Sequence, residues 1–231
     1  VMARTTHGEI GYSLPGIVTN PPAEDLNTIV RFSGVFDLAY KRFEDLKGAE
    51  RQQREVQIEL ALERTRTQSM LMKHSSELND ISKTFHEQLL GLGIDSEFSF
   101  VWLPDEDKQE HMFWATWVNE INGTTQYQSK SVKYPLNKTE PGTAKCYADW
   151  ESSQPVHETF VPPGQIDSFF ASWEELLKGA VKFKPEFFPE GIYYTEAYMK
   201  YGCFGIDIRR SITQEEKEII RRFSIEFERT Y

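Results

Sequence analysis

The sequence predicts an α+β chain: a long helical connector followed by an antiparallel sheet flanked by helices. Three observations carry this. Between Ala23 and Leu90 no proline follows Pro22, and only Gly34 and Gly48 interrupt the helical signal. Residues 91–231 then run through short apolar segments set off by turn residues, with helical excursions between them. Finally, a strand-and-helix unit near the N-terminus recurs at the C-terminus.

The repeat sets the organisation. Arg31-Phe-Ser-Gly-Val-Phe-Asp-Leu-Ala-Tyr40 matches Arg222-Phe-Ser-Ile-Glu-Phe-Glu-Arg-Thr-Tyr231 at the Arg, Phe, Ser, Phe and Tyr positions. Upstream, Gly8 and Gly11 match Gly202 and Gly205 in register, with Leu14 falling at Ile208. A polar turn follows each strand, Pro21-Pro22-Ala-Glu-Asp in the first copy and Ser211-Ile-Thr213-Gln-Glu-Glu in the second. Both read as helix starts, the second with Thr213 as N-cap. Residues 1–40 therefore read as the C-terminal tail of a preceding module, 41–90 as a helical connector, and 91–231 as a second module ending in the next connector helix.

Along the connector, Phe32, Phe36, Ala39, Phe43 and Leu46 recur at three- and four-residue steps, as a pairing seam requires. The stripe falters over 47–55 and resumes towards Leu60. Two partners fit it: a second copy of the helix, giving a parallel homodimer, or the chain's own domain, against which the helix would fold back. His74-Ser75-Ser76-Glu77 reads as a break, with Ser75 or Ser76 capping a new helix that Gly91 and Gly93 end.

In 91–231 the expected elements are strands at 96–103, 111–118, 127–134, 156–161, 192–199 and 203–208, with a hairpin turn at Asn122-Gly123. Helices are expected at 143–151 and 167–177, and a last one after Thr213. Phe98, Phe100 and Trp102 share one strand face, and residues 111–118 are apolar on both faces, which calls for cover on both sides of the sheet. An aromatic pocket is expected under the middle helices, from Phe100, Trp102, Trp114, Tyr147, Trp150, Phe170 and Trp173; the competing reading is that these rings simply fill the layer.

Composition narrows the function classes. Hydrophobic residues are 39% and charged residues 27% of 231, as expected of a folded chain. A net charge of −10 with no basic run argues against nucleic acid. No apolar stretch is long enough to span a membrane, and the first residues carry no apolar signal region. Cys146 and Cys203 have no metal-ligand spacing, so reduced thiols in a cytoplasmic protein are expected and no metal site is. Nucleophile elbows and phosphate loops are absent and the five histidines are scattered, so no catalytic residue is assigned and an enzyme is not expected.

The connector also carries a resemblance. Phe36-x-x-x-Tyr40-x-Arg42-Phe43-x-Asp45-Leu46-x-x-Ala49-Glu50 and Ile58-Glu-x-Ala61-Leu62-Glu63-Arg64-x-Arg66-x-x-x-Met70-x-Met72 resemble connectors of bacterial multi-domain sensor histidine kinases, where they alternate with GAF-like sensory domains. The resemblance is firmest over 31–90. It implies a cytoplasmic, dimeric, non-catalytic sensory and relay module with a kinase or transcriptional output domain in the same polypeptide. The Asn-Lys-Phe-Asp-Glu pattern of cyclic-nucleotide-binding GAF domains is missing, and Cys146 is followed by Tyr147 rather than the His that accompanies a bilin-bearing Cys. No cofactor is therefore assigned, and the ligand is unknown. A spacer and dimerisation module without a ligand is the alternative.

Overall fold

The computed structural model describes the chain except residues 14, 17, 18, 73, 75, 76, 122, 123, 153, 177 and 180–182. The expected Ser75 or Ser76 cap, the Asn122-Gly123 turn, the helix end at Leu177 and the repeat position Leu14 lie outside the described residues. Two compact units are present, Val1–Gln57 and Ile58–Tyr231.

The first unit holds the hairpin β1 (Met2–Thr5) and β2 (Gly8–Gly11), and most of helix α1 (Ala23–Leu71). Helix α1 starts directly after Pro21-Pro22 with Glu24 and Asp25 in its first turn, where the helix dipole favours acids. It runs 49 residues without a break. Gly34 and Gly48 each cost about 1 kcal/mol against alanine, too little to interrupt a helix of good formers.

The second unit begins inside α1. Ile58, Ala61 and Leu62 are buried in the same core as α2 (Leu78–Gly91) and α5 (Gln214–Thr230). Leu78, Ile81, Phe85 and Leu89 form the buried stripe of α2. This helix ends in a Schellman turn: Gly93 lies at φ +78°, and the Ile94 and Gly93 amides donate to the Leu89 and Leu90 carbonyls. Thr213 and Glu216 cap α5 reciprocally, as the sequence implies for Thr213. Arg210 pairs with Glu216 at 2.6 Å and holds its carboxyl down to about 2.

Six strands form one antiparallel sheet: β3 (Phe98–Asp105), β4 (Glu110–Ile121), β5 (Thr124–Pro135), β6 (Val156–Val161), β7 (Ile192–Met199) and β8 (Gly202–Ile208). Their order is β5-β4-β3-β8-β7-β6, two three-stranded meanders joined where the first strand meets the last. Between the meanders run α3 (Pro141–Glu151) and α4 (Ile166–Leu176). The alternation read at 96–103 gives way to a β3 buried on both faces, because α1, α2 and α5 cover one side and the α3–α4 layer the other. Ser99, polar by pattern, is buried and bonded to His86 at 2.9 Å.

The two stretches that match in sequence share their geometry. Gly8 (φ +153°) and Gly202 (φ +145°) occupy the same place after two-residue hairpin turns. Next to each, a turn amide donates to an acid on the following helix, Thr6 to Asp37 at 2.8 Å and Lys200 to Glu228 at 2.6 Å. His7 lies against Tyr40 as Tyr201 lies against Tyr231. Ser33 and Ser224 are both buried and both donate to the carbonyl three residues back, at 2.8 Å. One feature separates the copies. Phe223 and Phe227 are fully buried, whereas their counterparts Phe32 and Phe36 are 60% and 43% exposed.

A Cβ at Gly202 would lie 1.9 Å from the Trp102 carbonyl oxygen, while one at Gly8 meets nothing within 4 Å. Gly202→Ala is therefore expected to lower the unfolding free energy of the domain by about 3 kcal/mol through clash and strain. Gly8→Ala should leave the domain's transition in place. Chemical denaturation of both variants checks the contrast, and equal effects would contradict it.

Candidate functional site

The sheet face under α3 and α4 is aromatic because every second residue of β3 points there. Phe98, Phe100 and Trp102 stand in line; Trp102 pairs across to Phe113 of β4 and Cys203 of β8, and Phe100 to Ala115 and Gly205. Glycine at 205 is required by the ring above it, since a Cβ would fall 2.0 Å from Phe100.

Two parts of this layer differ. Towards one end, Trp102, Tyr147 and Trp150 pack edge-on against one another at 5.5–5.7 Å between centroids. The two indoles are satisfied: Trp102 donates to His111 Nδ1 at 2.8 Å, and Trp150 to the Met199 carbonyl at 2.7 Å, while the buried Tyr147 hydroxyl has no partner among the described residues. Towards the other end a cavity of about 20 Å³ remains. Phe98, Phe100 and Tyr194 line it from the sheet, Phe169 and Trp173 from α4, and Phe183 from the loop beyond. That volume holds roughly one water-sized molecule.

One carboxylate lines the cavity. Asp207 of β8 is 95% buried, and its Oδ1 has no hydrogen-bond partner among the described residues. Burial, with the nearby Glu196, pushes its carboxyl up to about 8. Glu196 is buried too and raised by burial; Tyr198 donates to it at 2.8 Å and the Cys203 thiol at 3.6 Å. Both cysteines are free and buried, and burial pushes both thiols well up, so neither is a reactive thiolate. His86 and His111 are buried neutral imidazoles, pushed down to about 4 by burial, with Lys138 adding to the effect on His111. No grouping of three metal-ligating side chains occurs among the described residues, and no described helix is long and apolar enough to cross a membrane.

Comparison with protein-family models, with curated proteins and with solved structures finds no match.

Of the residues expected to form the pocket, Phe100 and Trp173 line the cavity. Trp102, Tyr147 and Trp150 belong to the same layer but to its other end. Phe170 does not line the cavity but lies behind Phe183, stacked on it at 4.9 Å and packed with Phe188; its neighbour Phe169 takes the lining position. Trp114 is a correction. Its register partner on β3 is Val101, not Trp102, so its side chain falls on the opposite face, in the core with Phe204 and Phe223. The sequence reasoning missed Asp207, although an acid inside the otherwise apolar run Cys203-Phe-Gly-Ile-Asp-Ile208 was a signal available to it.

Of the expected seam residues, Phe32, Phe36, Ala39, Phe43, Leu46 and Leu60 are all exposed. Around Leu60 the helix divides its faces, Leu60 outwards and Ile58, Ala61 and Leu62 into the domain core.

These buried groups set opposite pH trends. Asp207 keeps its proton when folded up to about 8 but loses it near 3.8 when unfolded, so its contribution is full below 3.8 and is lost as pH rises through about 8. His86 and His111 act the other way, their contribution being full above 6.5 and lost as pH falls through about 4. Asp207→Asn is therefore expected to raise the melting temperature at pH 7, with an advantage that vanishes near pH 4 and grows by about 1.4 kcal/mol per pH unit between. Melting curves across that range check it; an advantage independent of pH would contradict it.

Proposed function

We propose that this chain is a non-catalytic sensory and relay segment of a bacterial two-component-type signalling protein. In this reading Ile58–Tyr231 is a GAF-like domain, and residues 1–40 are the last hairpin and helix of a like domain before it. The observation that carries the reading is the double role of α1. At its start it repeats the geometry of β8 and α5, down to the turn amide, the buried serine and the terminal tyrosine. At its end it contributes Ile58, Ala61 and Leu62 to the core of the next domain. A continuous helix that is core at one end and terminal element at the other transmits a displacement without slack.

The unequal burial of the two copies divides the apolar stripe. Phe32 and Phe36 match the core rings Phe223 and Phe227, so we assign them to the core of the preceding domain. The seam for a parallel homodimer then falls to Ala39, Phe43, Leu46 and Leu60, with polar Glu50, Gln53 and Gln57 at the positions between. A kinase or transcriptional output domain in the same cytoplasmic polypeptide is the recipient of the signal. One observation favours the alternative of a spacer without a ligand: the cavity beneath α4 is small, about 20 Å³.

Sedimentation equilibrium tests the relay reading. A dimer is expected, and Phe43→Glu should weaken it by at least about 100-fold, since the seam would then bury an unpaired charge. The circular dichroism of that variant should be unchanged, because Phe43 is exposed in the single chain. A parent chain that stays monomeric, or a variant that pairs as tightly, would overturn it.

A further inference from the structure

We infer that the cavity beneath α4 is a receptor for a small ammonium-type cation, the ammonium ion or the head of a primary amine, held between aromatic faces with Asp207 as its counter-charge. This deepens the sensory reading above and rests on it for its biological sense.

The lining itself selects the ligand. Most of it is ring: Phe98, Phe100, Phe113, Phe169, Trp173 and Tyr194 meet there. Aromatic faces carry negative quadrupole density and attract cations, most strongly when the contact is desolvated. The lining polar groups other than Asp207 are engaged: the Ser99 hydroxyl bonds His86 at 2.9 Å, and the Tyr194 hydroxyl lies 3.8 Å from the Cys146 thiol. Asp207 Oδ1 is left without a partner among the described residues. A buried acceptor in this state costs free energy that a bound donor recovers.

Other occupants fit less well. Water needs two to four polar partners, and this space offers chiefly one. A divalent or alkali cation requires a shell of oxygens, which rings do not supply. Anions meet Asp207 and, beside it on the same face of the sheet, Glu196 of β7. An ammonium head matches on three counts: its N–H groups donate to Asp207, its charge faces the rings, and its size is near that of the one molecule the cavity admits.

Asp207 is the acid of β8 at this cavity, with Tyr194 of β7 the other titratable side chain in the lining; β3, β4 and α4 present none there among the described residues. Because the empty site holds its proton up to about 8, entry of an ammonium displaces that proton to solvent and leaves a carboxylate–ammonium pair. Affinity therefore rises with pH, roughly fifty-fold from about pH 6 to about pH 8, and then levels.

Titration calorimetry of the full chain with ammonium chloride and methylammonium chloride, at constant ionic strength in potassium chloride, tests this. One saturable site per chain is expected, tightening with pH, releasing one proton in buffers of different ionisation enthalpy, and lost in Asp207→Asn. Methanol, the neutral counterpart of methylammonium, should not bind. Absence of a saturable site up to about 0.1 M, well beyond the millimolar range of weak binding, would overturn the inference. So would equal binding by Asp207→Asn or by methanol. These outcomes are independent of pairing: a dimer without cation binding would leave the relay standing and remove its ligand, and a cation-binding monomer would do the reverse.

Discussion

Everything in the domain depends on the pairing of β3 with β8, the first strand against the last. These two strands close the sheet at its centre, and both are buried on both faces. Such strands have no solvent side on which to leave polar groups, so each polar residue in them must be settled internally. Ser99 is settled by His86. Asp207 is not settled at its Oδ1 by any described residue. The candidate site exists because the central strand pair carries one acid that its own layer does not satisfy.

The same centrality links the site to the helices. Residues alternate along β8, so Asp207 faces the cavity while Ile206 and Ile208 on either side face the core shared with α2, α5 and the end of α1. A change in charge or packing at Asp207 is therefore one residue removed from the helical layer. That layer is close-packed: Phe85, Phe204 and Phe223 meet with centroids 4.3 and 5.3 Å apart. Packing of this density moves as a unit rather than deforming locally.

Local patterns made most of the fold legible in the sequence. The bounds of 156–161 and 192–199 coincide with β6 and β7, and the Thr213 cap and the Gly93 stop are where residue chemistry places them. The repeat was readable because glycine at a positive φ, a buried serine and a terminal tyrosine leave marks in composition. Less legible was the side of the sheet on which a given tryptophan falls. Trp114 sits in a strand apolar on both faces, where alternation carries no contrast, and its side is decided by register against Val101. Likewise Phe169 and Phe170 are adjacent on α4, and which one meets the cavity is set by helix rotation, a tertiary quantity. The apolar stripe of the connector was legible, but the contrast between its first two rings and the buried Phe223 and Phe227 is known only from the fold.

The central claim is that one end of α1 is part of the domain core, and native-state hydrogen exchange tests it most directly. Amides of residues 58–71 are predicted to exchange only with global unfolding, at the same opening free energy as β3 and β8. They should lose protection in step with those strands when Ile219→Ala, in the core of α5, weakens the domain. Exchange of 58–71 at the rate of an exposed, fraying helix, while β3 and β8 stay protected, would contradict the account.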